Sequence, residues 1–254
     1  MLSKTKSTSL ILIIFFAISC NTITQKTDLA INDLKKTMTA TNEEIVNVAL
    51  MYIKEGEEAR FEEYKKKGGA ILEQYGGKIE RIIEPTMLAE GDLDLPSEIH
   101  FATYPSIEAF NAFNSDEAFI KIRNEYALPA LKDISIFTCK NTNFEFKKEV
   151  GDHSKTYGVA LIYFNEGEQH KEQFAAYHDE VCKIMPEFGT HFERFIMPFQ
   201  AKGSLEKPDE IHRFYFDSIE GLQLMGTDER MKTLFPKRDA SLKNLYFLIG
   251  EATL

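Results

Sequence analysis

The sequence predicts an α+β fold in which two copies of one β-α-β-β-α-β unit pack sheet against sheet within a single chain. Three observations carry that prediction. Segments recur at an offset between 111 (48 to 159) and 113 (61 to 174): VALMY and VALIY, FEEY and FAAY, GGKIERIIEP and GTHFERFIMP, PSEIH and PDEIH. Within each copy the hydrophobic spacing alternates, in the same order, between the two-residue period of strands and the 3.6-residue period of helices. Several strands are apolar on both faces, a pattern that a sheet covered on one side only does not require.

Taken in order, the chain opens with Lys4 and Lys6 ahead of an apolar run, LILIIFFAI (10–18), and then Ser19-Cys20. Such a run is too short to span a bilayer, which takes about 20 residues, and suits the hydrophobic region of a secretory leader. Residues 1–19 are therefore expected to be a signal peptide. Residues 20–43 are polar and Thr-rich and read as a tether. The first copy, 45–140, begins with the strand IVNVALMYI (45–53). An amphipathic helix follows, with Phe61, Tyr64, Ile71, Leu72 and Tyr75 on one face. Gly76 is placed to end it. Strands KIERIIE (78–84) and EIHFATY (98–104) come next, separated by a loop with Gly91 and Pro96. Ser106 is a candidate N-cap for a second helix, and DISIFT (133–138) closes the copy.

The second copy, 157–251, repeats each element. Phe174, Tyr177, Val181, Ile184, Met185 and Phe188 form the helix face, Gly189 ends the helix, Ser218 caps the next one and NLYFLI (244–249) is the last strand. A polar segment, KNTNFEFKKEVGDHSKT, joins the copies. This β-α-β-β-α-β order is the ferredoxin-like split βαβ arrangement. In the first strand Val48, Leu50 and Tyr52 alternate with Ala49, Met51 and Ile53, so both faces need cover. The other repeat is the natural cover, which gives an α/β barrel completed within one chain.

The two motif sets carry resemblances. Ala17-Ile18-Ser19-Cys20 after the apolar run resembles the lipobox of bacterial lipoproteins. That resemblance implies cleavage before Cys20, a lipid (palmitate) anchor on it as the membrane partner, and a place in the cell envelope; Asn21 after it favours the outer membrane. Each copy resembles a DUF1330-type domain of the dimeric α/β-barrel superfamily. The residues that carry this are Tyr75-Gly76-Gly77-Lys78 at the helix–strand junction, Glu90-Gly91, Tyr104-Pro105-Ser106 and Ser115-Asp116-Glu117. The second copy keeps Gly189, Ser218 and Thr227-Asp228-Glu229 but has Thr190 and Asp217 where the pattern has Gly and Pro. The superfamily includes cofactor-independent monooxygenases, haem-degrading enzymes and small-molecule isomerases, so the resemblance implies a fold more than an activity.

Charge narrows the partners. Lys+Arg 30 against Asp+Glu 40 gives a net charge of −10, which opposes a nucleic-acid groove. Besides Cys20 the chain has Cys139 and Cys182, at non-equivalent places in the repeats, which are expected to be buried and inert thiols. Phosphate-cradling glycine loops, a nucleophile elbow and CxxC or HExxH metal motifs are absent from the sequence, so neither a cofactor nor a metal is expected. His170 and His178 lie eight apart on one helix, about two turns, too far for joint ligation. The chain has no Trp, and the Asn/Trp/His set of the haem-degrading members has no counterpart.

The repeated histidines, His100 and His212, titrate in the range useful for acid–base chemistry. Set against that, a strand-end histidine under a helix is ordinarily a structural group bonded to backbone. Arg81 and Arg194 share a strand face with Ile79 and Ile83, or with Phe192 and Ile196, by simple alternation. A cation there must be paired or face a cavity. If that face lines the barrel, the two guanidinium groups are candidates for holding an anionic ligand, with Arg213 adding charge on one side; an internal salt bridge is the alternative. Glu80 and Glu193 are expected on the opposite face. Three readings stay open: an envelope lipoprotein with a small anionic or aromatic ligand in the barrel, a cofactor-independent monooxygenase or isomerase on a small aromatic or carbonyl substrate, and a protein-interaction scaffold.

Overall fold

The computed structural model describes residues 44–141 and 156–254. The signal peptide, Cys20 and the tether expected over residues 1–43, and most of the joining segment, lie outside the described residues.

The first repeat runs β1 (Ile45–Ile53), α1 (Glu58–Gln74), β2 (Lys78–Glu90), β3 (Glu98–Tyr104), α2 (Ile107–Ser115), α3 (Glu117–Ile122), a π-helical turn (Arg123–Ala127), α4 (Leu128–Ala130) and β4 (Leu131–Asn141). The second runs β5 (Thr156–Phe164), α5 (Glu168–Ile184) with a 3₁₀ turn (Met185–Phe188), β6 (Thr190–Gly203), β7 (Glu210–Phe216), α6 (Ile219–Thr227), α7 (Glu229–Ser241) and β8 (Leu242–Ala252). All eight strands close into one antiparallel barrel in the order β1-β3-β2-β8-β5-β7-β6-β4. The fold is thus the predicted pair of ferredoxin-like units forming an α/β barrel within one chain. Closure adds two seams between repeats, β2 with β8 and β6 with β4.

Those seams explain why β2 outruns its expected end at residue 84. Its first half pairs with β3, and from Ile83 to Glu90 it pairs with β8 instead. Pro85 sits next to a register shift, where its missing N–H is not needed by the ladder.

Strand alternation sorts the apolar residues into three layers. Val46, Val48 and Leu50 of β1 join Phe101, Phe137, Val159, Leu161, Ile196 and Ile211 in the barrel interior. Ala49 and Met51 of the same strand point outward to Phe61 of α1. Ala160 and Ile162 of β5 likewise meet Phe174, Tyr177 and Val181 of α5. The helices end and start as their residues dictate. Gly76 and Gly189 take the left-handed conformation, with φ of +70° and +62°. The Ser106 hydroxyl accepts from the Ala109 N–H (3.2 Å), and Ser218 accepts from Gly221 (3.0 Å). The single second helix expected in each copy is broken by a second cap: Asp116 accepts from Phe119 N–H and Asp228 from Arg230 N–H, each at 2.8 Å.

Candidate functional site

The arginines lie at the barrel seam. Both β2 and β6 carry a bulge, between Ile79 and Arg81 and between Phe192 and Arg194. The extra residue, Glu80 or Glu193, interrupts the alternation. Ile79 therefore pairs with Ala102 on the helix side while Arg81 pairs with Phe101 on the barrel side. The shared face expected for Arg81 with Ile79, and for Arg194 with Phe192, is corrected by this bulge. So is the opposite-face placement of Glu80 and Glu193.

Glutamates and arginines of the two repeats bond to each other in exchanged pairs. Arg81 donates through Nη2 to Glu193 (3.0 Å), and Arg194 donates through Nε and Nη2 to Glu80, the shortest contact 2.8 Å. Arg194 also reaches Glu44 at 3.4 Å. Arg213, fully buried, donates through Nε to Glu193 (2.6 Å) and lies 3.3 Å from Glu80. Its guanidinium stacks 4.5 Å over the ring of Phe101, while Arg81 stacks 4.8 Å over Tyr157. Burial alone would raise the Glu80 carboxyl, but Arg213 and Arg194 outweigh it and hold it below the usual carboxylate range. These cations already have anions. The structure places Arg81 and Arg194 in a cross-repeat ion network rather than on an open ligand face.

The histidines lie elsewhere, one in each sheet–helix layer. The ring of His100 bonds through Nε2 to Glu98, and that of His212 through Nε2 to Glu210 at 3.0 Å. The expected backbone partner is therefore corrected to a carboxylate two residues earlier on the same strand face. An ionised carboxylate only accepts, so in each contact Nε2 is the donor. Glu98 has a second donor, Lys65 Nζ at 2.8 Å. Burial works to raise the Glu98 carboxyl, yet the bonds from His100 and Lys65 hold it below its ordinary range. Glu210 makes no such second bond among the described residues.

Each dyad borders a cavity between sheet and helices. The first-repeat cavity, about 360 Å³, is lined by His100, Tyr64, Tyr104, Phe113, Phe119 and Arg123 among others. The second, about 390 Å³, is lined by His212, His178, Phe174, Phe192, Phe214 and Thr190 among others. Both volumes fall in the range of ~300–1,000 Å³ usual for ligand pockets. In the second cavity the ring of His178 lies 5.4 Å from that of His212, edge to face. Burial, with His212 beside it, pushes the His178 imidazole down to about 4, so it is neutral at neutral pH. Thr190 is 2% exposed, and its hydroxyl has no hydrogen-bond partner among the described residues. At the edge Arg238 is held by Glu90 at 2.9 Å. Cys182 lies within 3.6 Å of the His178 ring; burial and Asp179 push its thiol up to about 11. Cys139 and Cys182 are both free, Cys139 buried and Cys182 half-buried. Among the described residues no group of three or more His, Cys, Asp or Glu is placed to hold a metal.

Sequence reasoning weighed the histidines singly and missed Glu98, Glu210, His178 and Thr190. The period-two signal was present: Glu-Ile-His in a strand puts its first and third side chains together. Thr190 was visible as a departure from the Gly of the other copy.

No family model matches the chain, and no curated protein does. Solved structures do. An anthrone oxidase-like protein is 12% identical with a TM-score of 0.56, over 84% of this chain and 92% of its own. A candidate monooxygenase from Fusobacterium nucleatum is 12% identical with a TM-score of 0.55, over 85% of this chain and 94% of its own. A chlorite dismutase mutant from Candidatus Nitrospira defluvii is 11% identical with a TM-score of 0.55, over 87% and 96%. The likeness is one of fold, the dimeric α/β barrel.

Proposed function

We propose that the second-repeat cavity is the active site of a cofactor-independent oxygenation of a small aromatic carbon acid, in a DUF1330-like two-repeat chain that Cys20 anchors at the cell envelope. The observation that carries the reading is the His212–Glu210 dyad bordering an aromatic cavity beside a neutral His178. The fold shared with proteins named as anthrone oxidase-like and monooxygenase supports the reaction class.

His212 accepts the proton of an activated CH₂ flanked by aryl or carbonyl groups, and Glu210 stabilises the imidazolium that forms. The substrate carbanion then gives electrons to O₂ and becomes a peroxide at that carbon. Loss of water leaves a ketone, so CH₂ + O₂ gives C=O + H₂O and the substrate is the sole reductant. The Thr190 hydroxyl and the His178 imidazole supply polar contacts for the substrate oxygen in an otherwise aromatic wall. Phe192 and Phe214, with ring centroids 4.3 Å apart, line the same cavity.

The test is oxygen uptake and quinone formation with anthrone as probe. Wild type should turn over, His212→Gln should lose about 10²–10⁴-fold in kcat, as removal of a general base does, and Glu210→Gln, which removes the anion that stabilises the imidazolium, should also lower kcat. Unchanged turnover in both variants, or none in wild type across anthrones and related phenols, would overturn the assignment.

A further inference from the structure

The two cavities descend from one duplicated unit, yet their walls differ at several positions. Where the first repeat has Asn47, Tyr104 and Arg123, the second has Gly158, Phe216 and Phe235. Tyr64 keeps its counterpart, Tyr177. At these four positions the first repeat carries four donors where the second carries one. Among the described residues no carboxylate pairs with Arg123. In a chain of net charge −10 an arginine facing a cavity without an anion is an unusual expense of charge. The arginine at the edge of the other cavity, Arg238, is by contrast held by Glu90 and Asp239. The remaining charges at the first cavity cancel, since Lys65 and Glu98 pair at 2.8 Å.

Two backbone features keep that space open and aim the arginine. Gly68 and Gly69 lie mid-helix in α1, where the second repeat has Val181 and Cys182. A Cβ on Gly69 would meet nothing within 4 Å. The helical segment before β4 has one residue more than its counterpart before β8, because the offset falls from 112 (117 to 229) to 111 (131 to 242). The extra residue is absorbed as the π-helical turn Arg123–Ala127, which begins at the arginine. Single π turns of this kind are rare and cluster at functional sites.

We propose that the first-repeat cavity is a second binding site, distinct from that of the second repeat, for a small aromatic carboxylate. Its carboxylate pairs with Arg123 and accepts from the tyrosine hydroxyls, and its ring packs against Phe113 and Phe119. Burial pushes the Tyr64 phenol up to about 12, against the opposing pull of Arg123, so it stays a protonated donor. The inference is independent of the oxygenation reading, which concerns the other cavity.

Calorimetric titration of the chain with 2-naphthoate and with 2-naphthol, which is neutral at pH 7.5, tests it. One equivalent of naphthoate should bind, at least about tenfold tighter than naphthol. Arg123→Gln should lose about tenfold for naphthoate and little for naphthol, and Arg123→Lys should recover part of the loss. Gly69→Leu, which fills the open space from the helix, should weaken both ligands and decides the matter if Arg123→Gln does not fold. Naphthoate binding that is absent in wild type, or unchanged in both Arg123→Gln and Gly69→Leu, would overturn the proposal.

Discussion

His178 occupies the place that Lys65 holds in the first repeat, and the exchange turns a cation bonded to Glu98 into a neutral ring facing His212. Its folded pKa of about 4 lies below the ordinary value of 6.5. Above pH 6.5 the ring is neutral in both folded and unfolded chains and contributes no pH dependence. As pH falls from 6.5 towards 4, the unfolded chain takes the proton and the folded one does not, so stability declines across that window, by at most about 3 kcal/mol. His178→Gln should remove that part of the decline. Urea midpoints at pH 7.5 and 4.5 measure it, and equal slopes in variant and wild type would contradict it. The Glu-x-His dyads were legible in PSEIH and PDEIH, because strand alternation alone puts both side chains on one face. His178 was not, because its partner comes from a strand 34 positions later (178 to 212). Only packing brings them together.

At the scale of elements, the regular parts were readable and the irregular ones were not. Ser106 and Ser218 were identifiable as caps, and Gly76 and Gly189 as stops, because each satisfies a local backbone need. The bulges at Glu80 and Glu193 leave no compositional mark, so simple alternation sent Arg81 and Arg194 to faces shared with Ile79 and Phe192. The one-residue slip in the repeat offset was visible, but nothing local told a longer loop from a π turn. Gly68-Gly69 was also visible, as a pair of poor helix formers inside a helical pattern. A glycine in mid-helix costs roughly 0.5–1 kcal/mol against alanine. Since a methyl on Gly69 meets open space, Gly69→Ala should stabilise the chain by about that amount. Thermal and urea unfolding would show it. A loss of stability would mean that the helix bends when that position is filled.

At the largest scale, the described residues form one barrel whose interior neither repeat can complete alone. Val46, Val48 and Leu50 of the first repeat and Val159, Leu161 and Ile211 of the second belong to a single core. The exchanged pairs Arg81–Glu193 and Arg194–Glu80 bind the repeats across that core. Arg213 breaks the symmetry, since its counterpart is Phe101, the ring it stacks upon. Without Arg213 the exchanged pairs are two arginines and two glutamates, each with a partner. This makes the seam unequally sensitive. Glu193→Gln leaves Arg81 and Arg213 buried without their shared anion, and removing one member of a buried ion pair costs about 3–5 kcal/mol. Arg213→Met leaves Glu193 with Arg81 and Glu80 with Arg194, and fills the volume over Phe101 with an apolar chain. Its cost should stay under about 2 kcal/mol, since apolar replacement of a buried charge is often close to neutral. Because the seam belongs to both repeats, each variant should still unfold in one transition, followed by circular dichroism in urea. If Arg213→Met proved the more damaging of the two, the third arginine would be essential to the seam rather than its surplus charge.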